Sequence, residues 1–118
     1  MTRAENIAIK ILANEPVEVR SLVQDWLRAA PSFVDEPAPT SPDASVRAVA
    51  AGIVELLAMR HGQPAPAWVA TIGSLPVPLY LVHAARESAK MRARVERESP
   101  EPLRKRNMFA PRHYLEKL

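Results

Sequence analysis

Ten of the last 33 residues are Lys or Arg, and their spacing is the feature of this chain that most resembles chemistry. Arg86, Lys90, Arg94 and Arg97 follow one another at intervals of four, four and three, so a helix would line them along one side. Arg104, Lys105 and Arg106 add a compact cluster. Cations in that arrangement can hold phosphate or the carboxylates of an acidic protein. The same helix can instead be a solvated surface laced by Glu87, Glu96, Glu98 and Glu101, with Arg94 and Glu98 forming a four-residue pair. The cluster at 104–106 has fewer local counter-charges. Met108, Phe109, Tyr114 and Leu115 follow it and need cover, either from the chain's own helices or from a partner.

Catalytic signatures are missing where they would be expected. Three glycines, at 52, 62 and 73, cannot build a phosphate-cradling loop, so no nucleotide cofactor is expected. His61, His83 and His113 lie 22 and 30 residues apart, which matches no helical metal-ligand spacing. Asp35 and Glu36 are neighbours in a Pro-rich stretch and read as a solvated pair rather than an acid–base pair. With no Cys, a thiolate nucleophile, a disulfide and a cysteine metal site are excluded. This composition suits a reducing cytoplasm. The N-terminal segment carries Glu5 early and interrupts its apolar run at Lys10, so it does not read as an export signal. The apolar run at 48–54 is far short of the roughly 18 residues that span a bilayer.

The elements that must position these residues are helical. With 118 residues, the chain suits one domain, and 47% hydrophobic residues suffice for a core. Twelve Pro, about twice the usual share of roughly 5%, keep the helices short. Apolar stripes predict helices over 3–13 and 16–30, the second with Asn14 as cap and Pro16 in its first turn. Residues 31–42 hold four Pro and predict an extended linker. Ser41 as cap and Pro42 at the first position predict a helix that runs to Arg60 and His61, ended by a left-handed Gly62. A short turn of helix is expected at 66–72, stopped by Gly73. Residues 79–82 suit a short strand or the start of a helix, and are taken as the start of one over 81–97 that projects from the core. Ser99 and Pro100 would cap a short helix ended by Asn107, and Pro111 would open a last one holding Tyr114, Leu115 and Leu118.

The expected fold is therefore all-α: a small single domain of about four to six short helices with an extended basic C-terminal segment. Leu22, Val23, Trp26, Val49, Ile53, Leu56 and Leu57 are its expected core. Residues 1–85, with a net charge of −2, would form the helical core, and residues 86–118, with +5, the basic helix and partner-binding tail. The tail, approached through Pro100 and Pro102, is expected to serve binding more than stability.

The run WVATIGSLPVPLYLVHAARES, followed by ESPEPLRKRNMFAPRHYLEKL, resembles the C-terminal half of small bacterial proteins encoded beside nucleotidyltransferase-like proteins, in pairs that look like toxin and antitoxin modules. The resemblance covers residues 66–118 and is carried by Trp68, Pro76, Pro78, Ser99, Pro100, Leu103, Arg104, Arg106, Asn107, Phe109, Ala110, Pro111 and Leu115. It implies that the chain binds a partner enzyme and performs no catalysis itself. The expected partner-binding residues are Arg104, Lys105, Arg106, Asn107, Met108, Phe109, Arg112, Tyr114 and Leu115. A weak, nonspecific nucleic-acid-binding regulator is the alternative; no helix-turn-helix or RNA-binding motif accompanies it.

Overall fold

Helix α1 (Arg3–Leu12) begins with a capping box: the Thr2 hydroxyl accepts from the Glu5 amide, and the Glu5 carboxylate reaches back to the Thr2 amide. Asn14 does not cap the next helix. It adopts φ 58° and ends α1, while α2 (Pro16–Arg28) starts on Glu15 with Pro16 at its first position. The two helices form a hairpin whose facing stripes bury Ile7, Ile11, Val19, Val23 and Trp26, with Leu22 only half-buried. The computed structural model describes residues 1–116, so Leu118 lies outside the described residues.

The Pro-rich stretch is stapled to its surroundings rather than free. Phe33 is buried in a 3-10 turn, edge-on to Trp26 at 5.2 Å and stacked on His61 at 5.9 Å. Gln63 accepts from the Phe33 amide and donates to the Pro31 carbonyl, and the Trp68 indole donates to the Glu36 carbonyl. Glu36 and Asp35 therefore part company: the Glu36 carboxylate accepts from the Ala4 amide at 2.8 Å, at the positive end of α1, and Asp35 is exposed.

Helix α3 (Ala44–Arg60) is the centre of the fold, and it is apolar on all sides because other elements surround it. Its cap is Asp43, which accepts from the Ser45 and Val46 amides, so the helix starts two residues later than expected. Gly62 ends it at φ 64° as predicted. Val49, Ile53, Leu56 and Leu57 are fully buried, with α1 on one side and α6 (Glu101–Arg104) on another. A methyl group on Gly52 would lie 2.7 Å from Met108 Cε and 2.8 Å from Leu103 Cδ2. The missing side chain is what lets the C-terminal segment reach α3.

Beyond the 3-10 turn at Ala67–Thr71, three expectations are corrected. Residues 79–80 form a strand, β1 (Leu79–Tyr80), paired in parallel with β2 (Met108–Phe109). Pro76 and Pro78 favour extended backbone ahead of β1, and Asn107 at φ 65° turns the chain so that β2 runs alongside. The single helix expected over 81–97 is two helices, α4 (His83–Glu87) and α5 (Ala89–Glu98), broken at an extended Ser88. Ser88 accepts from the Met91 amide and caps α5, while the Arg92 guanidinium donates to the carbonyls of Ala85 and Arg86 at the end of α4. Nor does α5 project freely. Val95 and Ala85 are fully buried, Tyr80 donates to Glu96 at 2.6 Å, and Arg92 lies over the Tyr80 ring. Finally, residues 112–116 form turns rather than a helix, with Leu115 at φ 62°. The radius of gyration, 13.2 Å, matches the roughly 13.5 Å expected of a folded chain this long, which leaves no room for an outstretched tail. The architecture is thus all-α, with six helices among the described residues and one two-residue strand pair.

Candidate partner-binding face

The C-terminal segment divides into a half that locks onto α3 and a half that faces solvent. Arg106 belongs to the first, at 2% exposure. Its guanidinium donates to the carbonyls of Ile72 (3.1 Å), Pro102 (2.7 Å) and Val69 (2.9 Å), and it lies 2.9 Å from Glu55 Oε1. Lys105 takes the other oxygen of the same carboxylate at 2.5 Å. Burial pushes the Glu55 carboxyl up, but the hydrogen bonds from Lys105 and Arg106 outweigh it and hold the group below its ordinary value. Met108 is fully buried against α3, and the Asn107 side chain donates to the Leu75 carbonyl at 3.1 Å. Phe109 is half-buried with its ring 5.5 Å from that of Tyr80. Arg106 and Met108, expected to meet a partner, are therefore part of the chain's own interior, because Glu55 and Gly52 of α3 provide the charge and the space for them.

The solvent-facing half leaves several of its cations uncommitted. On α5, Arg94 is bonded to Glu98 at 2.9 Å, the pair expected from the spacing. Arg86 donates to the Tyr80 carbonyl. Lys90, Arg97, Arg104 and Arg112 are exposed, and their side chains make no hydrogen bond or ion pair among the described residues. Lys90, Arg94 and Arg97 border one shallow groove with Met91 and Ala93. The bond from Arg94, with the nearby charges of Arg112 and Arg97, holds the Glu98 carboxyl below its ordinary value. Glu98 thus has three cations around it, Arg94, Arg97 and Arg112, and Lys90 lies along the same groove as Arg94 and Arg97.

Tyr114 and Leu115, both half-buried, turn the other way and line an apolar groove of about 300 Å³ with the ends of α1, α2 and β1. Burial pushes the Tyr114 phenol well above its usual range. Arg60 of α3 holds this part of the tail by donating to the carbonyls of Tyr114 and Arg112.

Two participants were not singled out from sequence. Glu55 was readable: a lone carboxylate in the otherwise uncharged, largely apolar stretch 48–58 requires a cationic partner. Arg92 falls outside the 86/90/94/97 stripe and acquires its role only through the break at Ser88. Among the described residues no three His, Cys, Asp or Glu come together to hold a metal ion, and no helix is long and apolar enough to cross a membrane. Compared with protein-family models, curated proteins and solved structures, the chain matches none.

Proposed function

We propose that this chain is a non-enzymatic interaction module that binds an acidic protein surface through Lys90, Arg94, Arg97 and Arg112. In the role its C-terminal half implies, it would be the antitoxin-like partner of a nucleotidyltransferase-fold protein, restraining that protein by occupying a carboxylate-rich surface. The observation that carries this reading is the groove that Lys90, Arg94 and Arg97 border with Met91 and Ala93 as apolar contacts, with Arg112 joining Arg94 and Arg97 near Glu98.

The aromatic side chains favour a protein over a nucleic acid. Single-stranded nucleic acid is held by aromatic rings free to stack on bases. Here Trp26 and Phe33 are buried, Trp68 is tied to Glu36, and Tyr80 and Phe109 face one another.

Co-expression with the product of the adjacent gene tests the reading, with copurification at physiological salt and relief of any toxicity of that neighbour as readouts. Copurification that is lost in the Lys90→Glu/Arg97→Glu/Arg112→Glu variant is the expected result. If the two proteins never associate and no toxicity is relieved, the reading fails. Retardation of DNA or RNA at low salt that collapses as salt rises would replace it with a phosphate-binding role.

A further inference from the structure

Between Phe33, buried against Trp26 and His61, and Val46, the first buried residue of α3, the chain gives no side chain to the core. Every residue from 34 to 45 is exposed or half-buried. The stretch gains little from burial, so polar bonds must hold it in place.

Two residues fasten it, and each reaches two different elements. The Glu36 carboxylate accepts from the Ala4 amide of α1 at 2.8 Å, and its carbonyl accepts from the Trp68 indole at 2.8 Å. The Ser41 amide donates to the buried Glu5 carboxylate of α1 at 3.0 Å, and its carbonyl accepts from Arg47 of α3 at 3.0 Å. The Thr40 amide also bonds to Glu5. Outside these fastenings the two ends are fixed separately, by Gln63 on Pro31 and Phe33 and by the Asp43 cap on α3. Pro37, Pro39 and Pro42 stiffen the piece between, so that it moves as a unit rather than residue by residue. Water can replace its few bonds at a cost well below that of unfolding the core.

We infer that residues 36–42 form a strap that opens as one piece while the helical core stays folded, releasing the Ala4 amide and the Trp68 indole N–H together. The strap is a conformational device separate from the cationic face: its fastenings reach α1, α3 and the 3-10 turn at Ala67–Thr71, so α5 keeps its place when the strap opens. What it uncovers is the positive end of α1 beside a half-buried tryptophan.

Native-state hydrogen exchange of the full chain, read by NMR at rising sub-denaturing urea, tests this. The Ala4 and Ser41 amides and the Trp68 indole N–H are each bonded across the strap, and the Ile53 and Leu56 amides within α3 report unfolding of the whole molecule. The three strap hydrogens should be roughly a hundredfold less protected than Ile53 and Leu56, and nearly insensitive to urea, because the opening exposes little surface. Glu36→Ala removes one fastening from a half-buried position and leaves the carbonyl that Trp68 meets. It should speed exchange at Ser41 and at the Trp68 indole by the same factor, roughly tenfold. Ser41 exchange unchanged by Glu36→Ala would show that each end frays by itself and would overturn the inference. Strap hydrogens that follow Ile53 and Leu56 in rate and urea dependence would do the same, since the strap would then open only with the whole fold. Strap hydrogens with no measurable protection would also contradict it, because no closed strap would exist.

Discussion

Arg106 spends its guanidinium on four acceptors inside the protein, three backbone carbonyls and Glu55. Removing it strands those groups and opens a cavity beneath α6. Arg106→Ala should therefore lower unfolding free energy by roughly 3–5 kcal/mol in urea denaturation. Arg106→Lys should rescue little of it, because a compact ammonium cannot span the carbonyls a planar fork reaches. Glu55 gives the matching pH dependence. Its folded pKa lies below the ordinary value of 4.5, so its contribution is present above that pH and is lost as pH falls through the folded value. Stability should decline on acidification below about pH 4.5, and Glu55→Gln should flatten part of that decline. Only part will go, since Glu5 is also held low: burial pushes it up, but the amides of Thr40, Thr2 and Ser41 more than offset this. At this scale the sequence displayed the cations but not their destinations. The 104–106 cluster looks uniform along the chain, yet Arg104 is exposed, Lys105 is half-committed and Arg106 is buried, because a helical turn followed by a left-handed Asn107 sends neighbours in different directions.

Among the elements, stripes and caps were legible and the short pieces were not. The stripes over 3–13, 16–30 and 46–57 led directly to α1, α2 and α3, since each spans enough turns for a 3.6-residue period to show. A two-residue strand has no period. β1 depends on a partner 29 positions away, which no local pattern contains. Ser99 shows how a correct residue acquired a different duty: it was expected to cap α6, and instead its hydroxyl donates to the Met108 carbonyl and accepts from the Ala110 amide. Those bonds occupy the outer edge of β2, while Arg86 covers the Tyr80 carbonyl on β1. The pair is thereby blunted against added strands. Ser99→Ala should cost roughly 1–3 kcal/mol, seen as a lower urea midpoint with an unchanged slope, because two buried backbone groups lose their partner.

At the scale of the whole molecule, the C-terminal third does two things at once. It supplies Leu103, Arg106, Met108 and Ala110 to the interior, and it presents Lys90, Arg97 and Arg112 to solvent. The prolines at 100, 102 and 111 suggested a separable tail, but Pro102 is itself buried and the turns it permits return the chain to α3. Truncation after Arg97 should consequently leave a chain that fails to fold or melts far lower by circular dichroism. Burying Leu103 and Met108 alone is worth roughly 1.5–3 kcal/mol each, against a total stability of about 5–15 kcal/mol. Deletion therefore cannot separate folding from binding here, whereas exposed charge can. The most direct test of the proposed cationic face pairs thermal melting with co-expression of the adjacent gene product, for the native chain and for Lys90→Glu/Arg97→Glu/Arg112→Glu. The account predicts melting within a few degrees of the native chain, since exposed substitutions rarely exceed about 0.5 kcal/mol each, together with loss of the partner. A variant that melts normally and still retains its partner would contradict it.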